Sequence, residues 1–189
     1  ESESRGLGDV YKRQVFCCLS RYTYIASLSL LFYTGSMGNN RSKPAKHVDV
    51  LPNASAKQLV QDKFIEACRV GDVDVVRRLL RQKTTINVNQ GIEDFGVTPL
   101  LYACQNGHAE VVALLLDEAR DTIDVNQTET AGGATPLCYA CSCGNVRVVT
   151  LLLDKAGDKI DINKATETSG TPLMVAADRG HSDIAVSYT

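Results

Sequence analysis

The tripeptide Thr98-Pro99-Leu100 returns as Thr135-Pro136-Leu137 after 37 residues and as Thr171-Pro172-Leu173 after 36 more. A period in this range marks a repeat architecture, in which one unit cannot bury its own apolar face and must stack on its neighbours. An earlier copy lacks the tripeptide: Asp62 to Asn89 aligns at an offset of 36, placing Ala67 on Ala103 and Gly71 on Gly107. Four copies follow, about 62–97, 98–134, 135–170 and 171–189, the last one short.

Each copy predicts two helices. Thr98, Thr135 and Thr171 suit a helix N-cap, and the proline after each suits the first helical position, where a missing N–H costs nothing. Leu100, Ala103 and Cys104 then share one apolar face. Gly107 supplies the left-handed backbone that ends the helix after two to three turns, as do Gly71, Gly144 and Gly180. A second helix follows with Val111, Val112, Leu115 and Leu116 inward, matched by Val75, Val76, Leu79 and Leu80 and by Val148, Val149, Leu152 and Leu153. The alternating Ile123-Asp124-Val125-Asn126, with Ile86 to Asn89 and Ile160 to Asn163 in register, leads through a polar, Gly-containing turn to the next Thr-Pro-Leu. That stretch reads as a hairpin-like finger.

The pattern G-x-T-P-L, A-[AC]-x-x-G-H, V-V-x-L-L-L and D-V-N resembles the ankyrin repeat over about residues 62 to 189. The resemblance implies an all-α solenoid of stacked antiparallel helix pairs bearing fingers. Three departures are visible. The repeats exceed the usual length of about 33, and the surplus falls between the last Leu of the second helix and the Asn of D-V-N, which lengthens the helix-to-finger connection. The His that usually follows Thr-Pro-Leu is replaced by Leu101, Cys138 and Met174. The turn before Thr171 is one residue shorter than the other two.

By the same resemblance, partner contacts come from the turn before each Thr-Pro-Leu and from the two residues before each helix-ending Gly. In the turns these are Ile92, Glu93, Asp94, Phe95 and Val97, then Thr128, Glu129, Thr130 and Ala134, then Glu167 and Thr168. Before the glycines they are Arg69 and Val70, Gln105 and Asn106, Ser142 and Cys143, Asp178 and Arg179. The alternative for each is a solvated loop residue. Phe95 stands apart, because aromatics anchor interfaces; its other option is to tuck against the neighbouring finger.

The two ends of the repeat region differ. Ser55 reads as an N-cap with Gln58 at N3, opening a helix with Leu59, Val60, Phe64, Ala67 and Cys68 inward and Asp62, Lys63 and Glu66 outward. A polar outer face is what a terminal repeat needs, so residues 55–189 begin with a cap. At the other end only Ile184, Ala185 and Val186 of the second helix precede Ser187-Tyr188-Thr189. The Leu pair is missing there, which predicts a partly uncovered apolar face and a natural protein that continues.

Upstream, residues 1–14, ESESRGLGDVYKRQ, fit neither the repeat nor a cap. GLGDVYKRQ resembles translated sequencing adapter; a disordered natural N-terminus is the alternative. Val15 to Gly35 is the most apolar stretch, yet Arg21 breaks it and leaves Tyr22 to Tyr33, nearer a signal-peptide core than a spanning helix. From Met37 the chain reads MGNNRSKPAK, which matches M-G-x-x-x-[ST] with Gly38 as myristoyl acceptor and Ser42 as the hydroxyl residue. That chemistry needs translation to start at Met37, making residues 1–36 a leader; the alternative is an internal Met-Gly pair in the 37–54 polar linker. One myristoyl chain binds membranes only marginally. Arg41, Lys43 and Lys46 add up to about 1 kcal/mol each near an anionic leaflet, so the association is reversible.

No catalytic group of residues emerges. Cys138-x-x-Cys141-x-Cys143 approaches zinc-ligand spacing, but Cys141 aligns with the small core position of Cys68, Cys104 and Ala177. No fourth Cys or His falls nearby to complete a tetrahedral site. His108 and His181 occupy the start of the second helix, where a structural role is expected. Phosphate-loop and dinucleotide motifs are absent, so no cofactor, metal or small-molecule substrate is expected. Residues 55–189 carry 13 Lys and Arg against 18 Asp and Glu, which argues against nucleic acid, whose phosphates need a basic face.

The expectation is a non-catalytic, cytoplasmic module that binds a protein partner, tethered at a membrane through Gly38. Two other classes remain: the regulatory arm of a larger enzyme, and a membrane protein anchored by Val15 to Tyr33. Intact mass of the protein made in eukaryotic cells from its own transcript separates these. We expect a species beginning at Gly38 with one added myristoyl mass; an unmodified chain from Glu1 or further upstream would return the apolar stretch to the protein as an anchor.

Overall fold

A computed structural model of the chain describes residues 54–82, 86–92, 95–167 and 169–188. The Gly38 acceptor, the apolar 15–35 stretch and the candidate contacts Glu93, Asp94 and Thr168 lie outside the described residues. Eight α-helices occur among those described, in four consecutive pairs: α1 (Ala54–Val70) with α2 (Val73–Arg81), α3 (Pro99–Gln105) with α4 (Ala109–Glu118), α5 (Pro136–Ser142) with α6 (Val146–Ala156), and α7 (Pro172–Asp178) with α8 (Ser182–Ser187). The first helices α1, α3, α5 and α7 pack side by side in chain order, and the second helices α2, α4, α6 and α8 form a parallel row against them.

The local reason for each start is as the sequence implies. Thr98, Thr135 and Thr171 hold extended backbone and accept a hydrogen bond from the N–H three residues on, at Leu101, Cys138 and Met174, with proline at the first helical position. Such caps contribute about 1 kcal/mol each. Two turns later Gly107 takes φ +74°, and His108 N–H reaches back to Ala103 O at 2.9 Å, closing the helix. The core runs continuously through the stack, from Phe64 and Cys68 through Leu100, Cys104, Val111, Val112 and Leu115 to Leu137, Cys141, Val148, Val149, Leu152 and Ile184.

Four expectations need correction. The described helix begins at Ala54, which places Ser55 inside it and not at the N-cap; Gln58 Nε2 bonds forward to Asp62 at 2.8 Å. Leu59 is 70% exposed. At 3.6 residues per turn it lies about 160° round the helix from the side carrying Phe64 and Cys68, and Gln61 and Ile65 are buried instead. In the third repeat the extra length is mostly helical, since α6 extends to Ala156 and continues as a 3-10 turn, Gly157–Lys159; in the second, α4 ends at Glu118 and the connection is non-helical as expected. Finally, Tyr188 falls at the position of Leu115 and Leu152, packs against the core and brings its hydroxyl 3.6 Å from Cys141 Sγ. It covers part of the face for which a Leu was expected.

Asp62, Lys63 and Glu66 are exposed as expected of an end repeat. Replacing fully buried Leu137 by Ala is expected to destabilise the protein by about 2–5 kcal/mol. Leu59→Ala should stay within about 0.5 kcal/mol of the parent, and urea denaturation of both variants checks the reassigned face.

Candidate protein-binding face

The fingers are turns rather than strands. Their ends are held by single backbone bonds, Ile92 N–H to Val97 O (3.3 Å), Glu129 N–H to Ala134 O (3.2 Å) and Thr166 N–H to Gly170 O (3.0 Å). The third spans one residue fewer, matching its shorter sequence. Among the described residues their β-pairing amounts to one isolated bridge, Thr166 with Gly170, so the hairpin character is slight. What holds the fingers is each other: Thr130 N–H donates to Phe95 O at 3.0 Å and Glu167 N–H to Gly132 O at 3.1 Å, the same rung displaced by one repeat.

A second line of ties joins the repeats behind the fingers. Asn89 clips the next repeat through its side chain, its Nδ2 donating to Thr122 O (2.7 Å) and its Oδ1 accepting from Asp124 N–H (2.9 Å). Asn126 repeats this with Lys159 O (2.7 Å) and Asp161 N–H (2.8 Å). Sequence reasoning had taken this Asn as part of an alternating strand; its recurrence at fixed register was the available signal. No described repeat precedes the first one to clip it. There Gln61, 4% exposed, accepts from Asn87 N–H (3.1 Å), the counterpart of the N–H groups that Asn89 and Asn126 hold in later repeats, and donates to Asn87 O (2.9 Å).

The third line ties the helix ends. His108 Nε2 lies 3.0 Å from Arg69 O and His181 Nε2 lies 3.3 Å from Ser142 O. A carbonyl only accepts, so Nε2 carries the proton in both. Asn145 stands in for His between them, donating to Cys104 O (2.9 Å) and Gln105 O (3.2 Å). The ring or amide rests on the preceding glycine: a Cβ on Gly71 would come 2.6 Å from His108 Nδ1, and one on Gly107 2.9 Å from Asn145 Oδ1. The histidines therefore have the structural role expected of them.

The candidate contact residues fall into three groups, with the exposed Arg179 also in the last. Val70 (53% exposed), Ile92, Thr130, Cys143, Glu167, Asp178 and Arg179 are exposed along the finger side and the ends of the first helices. Phe95, Val97, Gln105, Thr128, Ala134 and Ser142 are half-buried. Others are committed within the protein. Glu129 is 6% exposed and its carboxylate accepts from Ala131 N–H at 2.7 Å, so it shapes its own turn. Asn106 donates to Arg69 O (2.8 Å), Arg179 to Ser142 O (3.3 Å), and Arg69 pairs with Glu66 at 2.6 Å.

Four of the described cysteines, Cys68, Cys104, Cys138 and Cys141, serve the core. Burial pushes the Cys68 and Cys104 thiols far up, and Cys141, also buried but bonded to Tyr188, up to about 11. Protonated thiols are poor ligands and nucleophiles. Cys138 is buried and its Sγ approaches Lys164 O at 3.7 Å, while Cys143 is exposed.

The model of the family described as "Ankyrin repeats (3 copies)" matches residues 64–166 and 122–186. The chain belongs to the ankyrin-repeat family. No curated protein matches it significantly. Ankyrin repeats make this chain a protein–protein interaction module, and the rungs, clips and helix-end ties above are how this ankyrin stack holds its shape.

Asn126→Ala is expected to cost about 1–3 kcal/mol, since it removes two bonds and strands a backbone N–H and carbonyl. Asn163→Ala, at the same register but with no amide partner among the described residues, should stay within about 0.5 kcal/mol. Thermal or urea unfolding of the two variants side by side checks the clip.

Proposed function

We propose that this ankyrin protein is an adaptor without catalysis of its own, binding a protein partner through its finger tips and the adjoining ends of its first helices. The observation that carries this reading is the pinning of the three finger backbones to one another while Val70, Ile92, Thr130, Cys143 and Glu167 remain exposed around them. A preset surface loses little conformational entropy on binding, which leaves more of the contact energy as affinity. The repeat region's excess of acidic residues favours a basic or polar partner by steering its approach.

The adaptor works in the cytoplasm and is held reversibly at a membrane through a myristoyl group on Gly38, the basic residues Arg41, Lys43 and Lys46 adding weak attraction to anionic lipid. No described helix is long and apolar enough to cross a membrane. The intact-mass measurement decides the lipid part of this reading independently of the binding part.

Quantitative co-purification from cells, comparing the parent with Val70→Asp and Ile92→Asp, tests the face. A partner held there should be lost by about tenfold or more, because an unpaired carboxylate buried at the contact costs more than about 1.4 kcal/mol. Helix content and melting should be unchanged. Equal recovery of every interactor with parent and variants would place binding elsewhere.

A further inference from the structure

At three registers the outer face of the second helices changes character from the first described repeat to the later ones. Arg77, Arg78 and Arg81 of α2 stand where α4 has Ala113, Leu114 and Asp117 and α6 has Thr150, Leu151 and Asp154. On α2 these registers point away from the buried Val76 and Leu79, as they do from Val112 and Leu115 on α4, so they face outward whatever stacks on either side. The three guanidiniums are also little committed. Arg77 meets Asp74 at 3.7 Å and Arg81 Nε meets Glu118 at 4.0 Å, exposed pairs at the limit of an ion pair that contribute little. Arg78 is exposed and has no ion-pair partner among the described residues. Other cations are spent within the protein. Arg69 grips Glu66 through two nitrogens at 2.6 and 2.7 Å, Lys155 holds Asp117 at 2.6 Å, and Lys159 and Lys164 donate to Arg120 O and Asn126 O.

We propose that this arginine face is where the protein meets an anionic lipid surface. Guanidiniums carried outward on one helix suit a flat sheet of phosphates. The path of the chain brings the basic segment before α1 to the same place. Lys46 precedes Ala54 by eight residues, a reach of at most about 28 Å. The connection after α2 returns to the first half of α1, where Asn87 bonds Gln61. Arg41, Lys43 and Lys46 can therefore reach the surface that Arg77, Arg78 and Arg81 touch. Together they make six, within the about four to eight basic residues that hold a protein on anionic lipid. Asp74 on α2 and Glu110, Asp117 and Glu118 on α4 oppose a contact along the whole row of second helices. The first repeat thus touches edge-on, and the fingers stay clear for a protein partner. The proposal extends the membrane reading given above, on which its setting rests, but the face itself acts without the myristoyl group.

The test is pelleting of the full chain, made in bacteria so that Gly38 carries no lipid, with vesicles of phosphatidylcholine alone or mixed with phosphatidylserine. Binding to the mixed vesicles is expected, falling as salt screens the charges. Arg77→Gln, Arg78→Gln and Arg81→Gln combined should weaken it by about tenfold. Arg77→Lys, Arg78→Lys and Arg81→Lys combined should bind as the parent does, because a diffuse anionic surface reads charge rather than guanidinium geometry. Arg120→Gln with Arg147→Gln, which removes cations from other faces, should change binding by less than about twofold. Circular dichroism and melting of all these variants should match the parent. Equal binding to both kinds of vesicle, no effect of the three glutamines, or an equal loss from the Arg120 and Arg147 pair overturns the proposal. So does a soluble polyphosphate bound through the same arginines by a chain that ignores the mixed vesicles, which would make a free phosphate compound the ligand. Finding Gly38 unmodified in eukaryotic cells would remove the lipid tether and leave the vesicle result standing.

Discussion

Every helix pair in this chain leaves polar backbone groups at its ends that only the neighbouring repeat can satisfy. A two-turn helix such as α3 has few internal bonds, and its last carbonyls face a low-dielectric interior where an unpaired acceptor is costly. The His or Asn that opens the following repeat's second helix supplies the missing donor. Its access depends on a glycine whose absent side chain is the seat. The same glycine ends the helix by adopting positive φ, so one residue type settles both the local turn and the distance between repeats. The Asn clips and the finger rungs then have a fixed spacing on which to form.

Apolar burial supplies the driving force and the polar ties supply register. Leu100, Leu137 and their neighbours would gain as much from several slightly shifted stackings, since hydrophobic contact is non-directional. A shifted stack would strand the clip of Asn126 and the donor of Asn145 together. The row of conformationally distinct finger tips is therefore only as exact as the ties behind it, and binding precision at the surface is inherited from residues that no partner touches.

Much of this was legible in the sequence because the repeat is read three times over. Thr-Pro-Leu, the helix-ending glycines and the paired aliphatics each carry a local physical signal, and the model places them as those signals require. Leu59 was misjudged because a single helix without an aligned copy offers no register against which to choose its face. Tyr188 was missed because an aromatic at a Leu position matches no pattern, though it fills similar space. Gln61 was illegible for a different reason: a long-range side-chain-to-backbone bond leaves no periodic trace in its own helix. Of the candidate contacts, Val70, Cys143 and Glu167 are exposed, whereas the inward turn of Glu129 follows from the geometry of one tight loop.

The Gln61 bond gives the stack a polarity of another kind. Mutually dependent units open most readily where a repeat has the least closure of its own; the first described repeat has a loose backbone group satisfied from within by Gln61, while the fourth relies on the six-residue α8 and the contact between Tyr188 and Cys141. Thermal fraying, proteolytic attack and amide exchange would accordingly differ from repeat to repeat.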